Sequence, residues 1–99
     1  MVLDFESMLR KLQADGPKVI AVGAAEDRDV LLSVEEARQL GIARAILTGN
    51  KEKIKAIARE NGIDPANYTI VDELDAAQAC LTAVNLVRRG EAALPMKGF

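Results

Sequence analysis

Two carboxylates follow an apolar run in Val22-Gly23-Ala24-Ala25-Glu26-Asp27, and one ammonium precedes a glycine in Met96-Lys97-Gly98. A lysine beside an unhindered backbone can offer positive charge and an amide to a phosphate or to a thioester oxygen. Glu26 and Asp27 could line a cleft or serve the helix that follows them. A third stretch, Thr48-Gly49-Asn50-Lys51, suits an anion, because Gly49 permits close approach, Asn50 can cap, and Lys51 and Lys53 put positive charge at a helix start. Each group has a plainer reading as well. Asp27 and Asn50 are ordinary N-cap residues, and a lysine near a terminus can simply be solvated.

Neither glycine-bearing loop carries a nucleotide fingerprint. The loop over residues 23–27 has one glycine and two acids where a dinucleotide fold carries G-x-G-x-x-G. Its carboxylates suit the positive pole of a following helix but would repel a pyrophosphate. Thr48-Gly49-Asn50-Lys51 lacks the G-x-x-x-x-G-K-[ST] spacing of a phosphate loop.

Absences narrow the chemistry further. With no histidine and one cysteine, a Ser-His-Asp or Cys-His triad and a histidine or thiolate zinc site cannot be built from this chain, and no metal centre is expected. The net charge is −2, and its 13 basic and 15 acidic residues are spread along the sequence, so no basic patch suits nucleic acid. No apolar run approaches the roughly 18 residues that span a bilayer, and Met1-Val2-Leu3-Asp4-Phe5 lacks the basic start and apolar middle of a signal peptide. The single Cys80 fits a reducing compartment, so the expected location is the cytoplasm.

The elements that must hold these groups are legible from periodicity. Phe5, Met8, Leu9 and Leu12 mark an amphipathic helix that Gly16-Pro17 should stop. Lys18-Val19-Ile20-Ala21-Val22 reads as a strand buried on both faces. Val30, Leu31, Val34 and Ala37 form the next helical stripe, ending at Gly41 in a left-handed cap. Ala45-Ile46-Leu47 is a second strand, Ile54, Ile57 and Ala58 a helix ending at Asn61-Gly62, and Tyr68-Thr69-Ile70-Val71 a third strand. Ala77, Cys80, Leu81, Val84 and Val87 give a further helix ending at Gly90, and residues 92–96 the fourth strand. Cys80, Met8 and Met96 read as core residues, and Arg88-Arg89 suits the negative pole of the last helix. Pro95 places the fourth strand at a sheet edge or its nitrogen over a gap.

Alternating helices and short apolar strands predict an α/β fold, a three-layer α/β/α sandwich on a four-stranded parallel sheet. Ninety-nine residues, 49% hydrophobic, suit one domain over residues 1–99. Two strand orders are common, 3-2-1-4 and 2-1-3-4, and the first is favoured here. It puts strands 1 and 4 side by side, so that residues 23–27 and Met96-Lys97-Gly98 share one crevice at the carboxyl ends of the strands, where such folds bind ligands.

Lys-Val-Ile-Ala-Val-Gly-Ala-Ala-Glu-Asp, Gly-Ile-Ala-Arg-Ala-Ile-Leu-Thr-Gly-Asn-Lys, Asn-Gly-Ile-Asp and Leu-Val-Arg-Arg-Gly-Glu-Ala-Ala-Leu-Pro-Met-Lys-Gly-Phe occur here in succession. In order and spacing this series resembles the amino-terminal portion of phosphate butyryltransferases and the wider phosphate acetyl/butyryl transferase family. The likeness runs over residues 18–99, about the first third of the usual family length, and is most specific at Ala24-Ala25-Glu26-Asp27 and Met96-Lys97-Gly98. It implies an isocitrate-dehydrogenase-like architecture with a cleft between two α/β domains. It also implies direct attack of inorganic phosphate on the thioester of an acyl-CoA, with coenzyme A as substrate and no tightly bound cofactor. Carried over by motif, Lys97 and Gly98 would line the cleft and Ala24, Ala25, Glu26 and Asp27 would form the facing loop.

In that family the Met-Lys-Gly loop continues into a threonine-bearing segment, and a serine, an arginine and an aspartate of the later domain do most of the chemistry. None has a counterpart here, so no catalytic residue is named. The expectation is a chain that folds, requires a missing second domain and does not turn over acyl-CoA alone. Ala93 and Pro95 stand where many relatives carry an aspartate and an aliphatic residue. Two other classes compete. Glu26, Asp27, Asp72 and Lys97 loosely mimic the acids and lysine of a receiver-like phosphoacceptor domain. A sheet ending at its fourth strand also leaves an edge for association, including a homo-oligomer.

Overall fold

Short apolar strands separated by capped helices organise the chain, and the computed structural model describes residues 16–98 together with Ser7 and Arg10. The helix expected at Phe5, Met8, Leu9 and Leu12 lies outside the described residues. In order come β1 (Lys18–Gly23), α1 (Arg28–Gln39), β2 (Ala43–Gly49), α2 (Lys51–Glu60), a 3-10 turn (Pro65–Asn67), β3 (Thr69–Asp72), α3 (Ala76–Arg88) and β4 (Leu94–Lys97). The sheet is wholly parallel with order β3-β2-β1-β4, the favoured expectation.

Each helix starts where a short polar side chain satisfies an otherwise orphaned amide. Asp27 accepts from the Asp29 N–H at 3.2 Å, Asn50 from Lys53 at 3.2 Å, and Asp75 from Gln78 at 2.9 Å. Losing one such cap typically costs about 1 kcal/mol. Gly41 just past α1 sits at φ +75°, the left-handed cap its position predicted.

Alternation along β1 sets the layers. Val22 faces a cluster with Leu31, Val34, Leu47, Ile54 and Ala58 under α1 and α2, whereas Ala21 faces Ala83, Leu86 and Ala92 under α3. Burying each of Leu31, Leu47 and Ile54 contributes about 1.5–3 kcal/mol. Ile54→Ala would cost about 2–5 kcal/mol by leaving a cavity.

Three expectations need correction. The buried line on α3 is Ala79, Ala83 and Leu86, while Leu81 is 50% and Val84 41% exposed and Cys80 is half-buried. Apart from a polar stripe of Gln78, Thr82 and Asn85 that helix is apolar on most sides, so periodicity could not choose which part of the wide apolar face turns inward. Leu94, an apolar residue of the expected fourth strand, is 46% exposed because β4 is an edge of the described sheet. The fourth strand also begins and ends later than expected, so Lys97 belongs to the strand and pairs with Gly23. An edge strand tolerates Pro95, which has no N–H to give.

Candidate functional site

The parallel pairing of β1 with β4 brings their two carboxyl ends together. Gly23 is the partner of Lys97, and the Gly98 N–H donates to the Gly23 carbonyl at 2.7 Å. The chain then passes so close to the next peptide that a Cβ on Gly98 would overlap the Ala24 carbonyl oxygen. Residues 23–27 and 96–98 are therefore in contact, as strand order 3-2-1-4 required.

Of the six residues read as lining this crevice, the structure presents three by side chain. Ala24, Ala25 and Gly98 are buried and can offer only backbone, while Glu26 and Asp27 are half-exposed and Lys97 is exposed. Ala24 adopts φ +55°, the one positive value at a non-glycine among the described residues. That left-handed conformation costs roughly 1–2 kcal/mol for an L-residue and is held by its surroundings. The Ala25 N–H donates to the Thr48 carbonyl at 2.9 Å, and the Asp27 N–H to the Ala25 carbonyl at 2.8 Å, which folds the loop back over the end of β2.

Asp27 spends its carboxylate on the α1 cap. Glu26 turns the other way and lies over Gly49, where a Cβ would overlap Oε1. That oxygen is buried and has no hydrogen-bond partner among the described residues. It is an acceptor in want of a donor.

Thr48, Gly49 and Asn50, read as a place for an anion, are engaged elsewhere. The Thr48 hydroxyl is fully buried, 2.9 Å from the Val22 carbonyl and 2.8 Å from the Ala79 carbonyl, so its single proton is shared between β1 and α3. Gly49 is covered by Glu26. Asn50 caps α2, and the Asp72 carboxylate accepts from the Lys51 N–H at 3.0 Å, so an internal anion already occupies that helix terminus. The same bond commits Asp72, and β2 separates β3 from β1. No group of three or more Asp, Glu or Cys side chains able to hold a metal occurs among the described residues, so the acids of the receiver-like alternative do not gather.

A polar cluster that sequence reasoning missed lies on α1. Glu35 accepts from Arg38 Nε at 3.0 Å and Nη2 at 2.9 Å, from Gln39 Nε2 at 2.9 Å, and from the Tyr68 hydroxyl at 2.7 Å. The Arg38 hydrogen bonds, assisted by those from Tyr68 and Gln39 and opposed by desolvation, hold the Glu35 carboxyl down at about 2. Burial, then the bond to Glu35, pushes the Tyr68 phenol up. Spacing of i, i+3 and i+4 on a helix could have signalled the Glu35, Arg38 and Gln39 part. Tyr68, 33 residues away, carried no local signal.

Comparison with known proteins places this geometry. The family described as phosphate acetyl/butaryl transferase matches residues 4–97. The chain is 40% identical over 99 residues to a phosphate butyryltransferase of Clostridium beijerinckii, covering all of this chain and 33% of that protein. It is 34% identical over 89 residues to a phosphate acetyltransferase of Rickettsia prowazekii, covering 88% of this chain and 25% of that one. A phosphotransacetylase structure from Streptococcus pyogenes superposes with a TM-score of 0.74 at 16% identity, covering 96% of this chain and 38% of its own, which supports the fold. The chain thus spans about a third of the length of the curated butyryltransferase it matches. No helix among the described residues is long and apolar enough to cross a membrane. With the matched segment spanning β1 through β4 and both of the loops that meet at their ends, this chain belongs to the phosphate acetyl/butaryl transferase family.

Proposed function

We propose that this chain forms one wall of an acyl-transfer site, at which an acyl group passes between coenzyme A and inorganic phosphate in the cytoplasm. The contact of residues 23–27 with residues 96–98 carries the reading, because it assembles the two most family-specific motifs at one end of the sheet. Lys97 screens the charge of an incoming phosphate as the thioester carbonyl develops negative charge, and Glu26 meets a hydrogen-bond donor of the substrate or of the facing wall. The phosphate oxygen forms the new bond to the carbonyl carbon, and the carbon–sulfur bond breaks to release the thiolate of coenzyme A. A further domain, of the kind the longer relatives have room for, supplies the remaining groups. Coenzyme A and phosphate act as substrates, with no tightly held cofactor.

The test follows free thiol released from butyryl-CoA in the presence of phosphate. The 99-residue chain alone should release none above background. Adding a polypeptide that spans the remaining two-thirds of the Clostridium beijerinckii butyryltransferase should restore phosphate-dependent release, and Lys97→Ala should reduce it. Turnover by the chain alone at the rate of a full-length relative would sink the reading of one wall. An unchanged rate of release on Lys97→Ala would remove Lys97 from the site.

A further inference from the structure

Strand β3 is an edge of the described sheet. The Glu73 N–H donates to the Gly49 carbonyl at 2.7 Å, and Gly49 pairs with Asp72. Peptide groups point alternately to the two sides of a strand, so Thr69 and Val71 also face β2, while Ile70 and Asp72 turn their N–H and C=O groups outward. Beside that edge a groove of about 360 Å³ runs between α2 and β3 over a floor of Pro65, Tyr68 and Ile70. Lys51, Lys55 and Arg59 line it from α2, at i, i+4 and i+8 and so on one face of the helix. Among the described residues none of these three forms an ion pair. Asp64 lines the groove as well and Asp72 ends β3, but both carboxylates accept from backbone amides, those of Ala66 and Lys51, at 3.0 Å.

We propose that this edge is a docking site for an acidic segment of another protein, added to β3 as an extended strand. Spacing carries the inference. Cations four residues apart on α2 recur about every 6 Å, at roughly 1.5 Å per residue. Side chains on one face of an extended strand recur about every 6.6 Å, two residues at roughly 3.3 Å each. A strand with acids at alternate positions therefore sets a carboxylate beside each of Lys51, Lys55 and Arg59, while its peptide groups meet those of Ile70 and Asp72. The same cations disfavour an apolar strand, which would desolvate them without pairing, and repel a basic one. The strand order puts β3 and β4 at opposite edges, so the site uses neither residues 23–27 nor residues 96–98 and is independent of the acyl-transfer reading.

Two end-capped peptides of one composition, Thr-Glu-Val-Glu-Val-Glu-Thr and Thr-Val-Glu-Glu-Glu-Val-Thr, titrated into the ¹⁵N-labelled 99-residue chain, provide the test. The alternating peptide should move the Ile70 and Asp72 amides, slow their exchange with solvent, and bind less tightly as salt rises. The clustered peptide should bind about twofold to fivefold more weakly, the worth of one exposed ion pair, and Lys55→Gln and Arg59→Gln should each cost the alternating peptide a similar factor. Methylating the backbone nitrogens of the three glutamates, or those of the two valines between them, blocks alternate sides of the bound strand. One set should abolish the shifts and the other leave them, because only one side meets β3. Equal binding of the two peptides, equal tolerance of both methylated sets, or absence of shifts at Ile70 and Asp72 would each overturn the inference. So would inorganic triphosphate moving those two amides as the peptide does, which would make the groove a small-anion site, and shifts that follow protein concentration alone, which would make the occupant a second copy of the chain.

Discussion

The Gly98 N–H donates to the Gly23 carbonyl at 2.7 Å, joining the last residue of β1 to the residue just past β4. This one bond fixes the two family-specific loops against each other. Gly98→Ala would drive a methyl group into the Ala24 carbonyl, and overpacking of this kind costs about 1–3 kcal/mol. The strand end should open, seen as faster hydrogen exchange at the residue 98 amide, and complemented acyl transfer should fall. An unchanged exchange rate would show that the contact is slack.

Ala24→Gly should leave stability unchanged or raise it by up to about 1 kcal/mol. The substitution relieves a left-handed alanine at φ +55°, while the added freedom of glycine in the unfolded chain offsets part of the gain. Urea denaturation reads the difference. A loss above 1 kcal/mol would mean that the Ala24 methyl group packs more than its conformation costs.

Glu26→Gln should stabilise the chain by on the order of 1 kcal/mol, because a carboxylate oxygen that is buried without a donor carries a desolvation penalty that a neutral amide lessens. The same change should slow complemented acyl transfer. Destabilisation in the urea midpoint would indicate that the carboxylate already has a partner in the folded chain.

Thr48→Val keeps the shape and deletes the hydroxyl that lies between the Val22 and Ala79 carbonyls. The expected cost is about 1–2 kcal/mol, the net worth of a buried hydrogen bond plus the exposure of its acceptors to an apolar group. Thr48→Ser should retain the bond and lose only the methyl contact. Thermal melts of the pair decide, and a loss confined to Thr48→Ser would make packing the whole effect.

Glu35 gives the chain an acid-side dependence. Its folded carboxyl, held at about 2 chiefly by Arg38, lies below its ordinary 4.5, so its contribution is fully present above pH 4.5 and disappears as the pH falls towards 2. After allowance for solvent screening the loss is on the order of 1–2 kcal/mol. Tyr68 acts oppositely: its phenol is raised, so its contribution is present below the ordinary tyrosine value near 10 and is lost as the pH rises beyond it. Tyr68→Phe should flatten the alkaline limb and shallow the acid one in stability measured from pH 2 to 11. A profile identical to that of the unsubstituted chain would break the proposed link.

Much of this architecture was written in local pattern. Alternation and 3.6-residue stripes located β1, α1, β2 and α2, and Asp27, Asn50 and Gly41 marked helix boundaries by the backbone groups they satisfy. The motifs at residues 23–27 and 96–98 were visible as candidates before any fold existed. These are short-range properties: an amide needs a cap within three residues, and an apolar face repeats with the helix or strand period.

Tertiary structure decided the rest. Only the packed sheet shows that Ala24, Ala25 and Gly98 offer backbone alone, that Asp72 fills the α2 terminus, that Thr48 faces inward, and that Leu81, Val84 and Leu94 stay partly exposed. Strand order was one of two choices until hydrogen bonding placed β4 beside β1. Hydrogen bonds between residues 33 or 75 positions apart, such as Tyr68 to Glu35 or Gly98 to Gly23, depend on where two distant segments come to rest, and no local pattern of residues encodes that. The α3 helix makes the same point: apolar on most sides, it takes its inward face from the sheet that covers it.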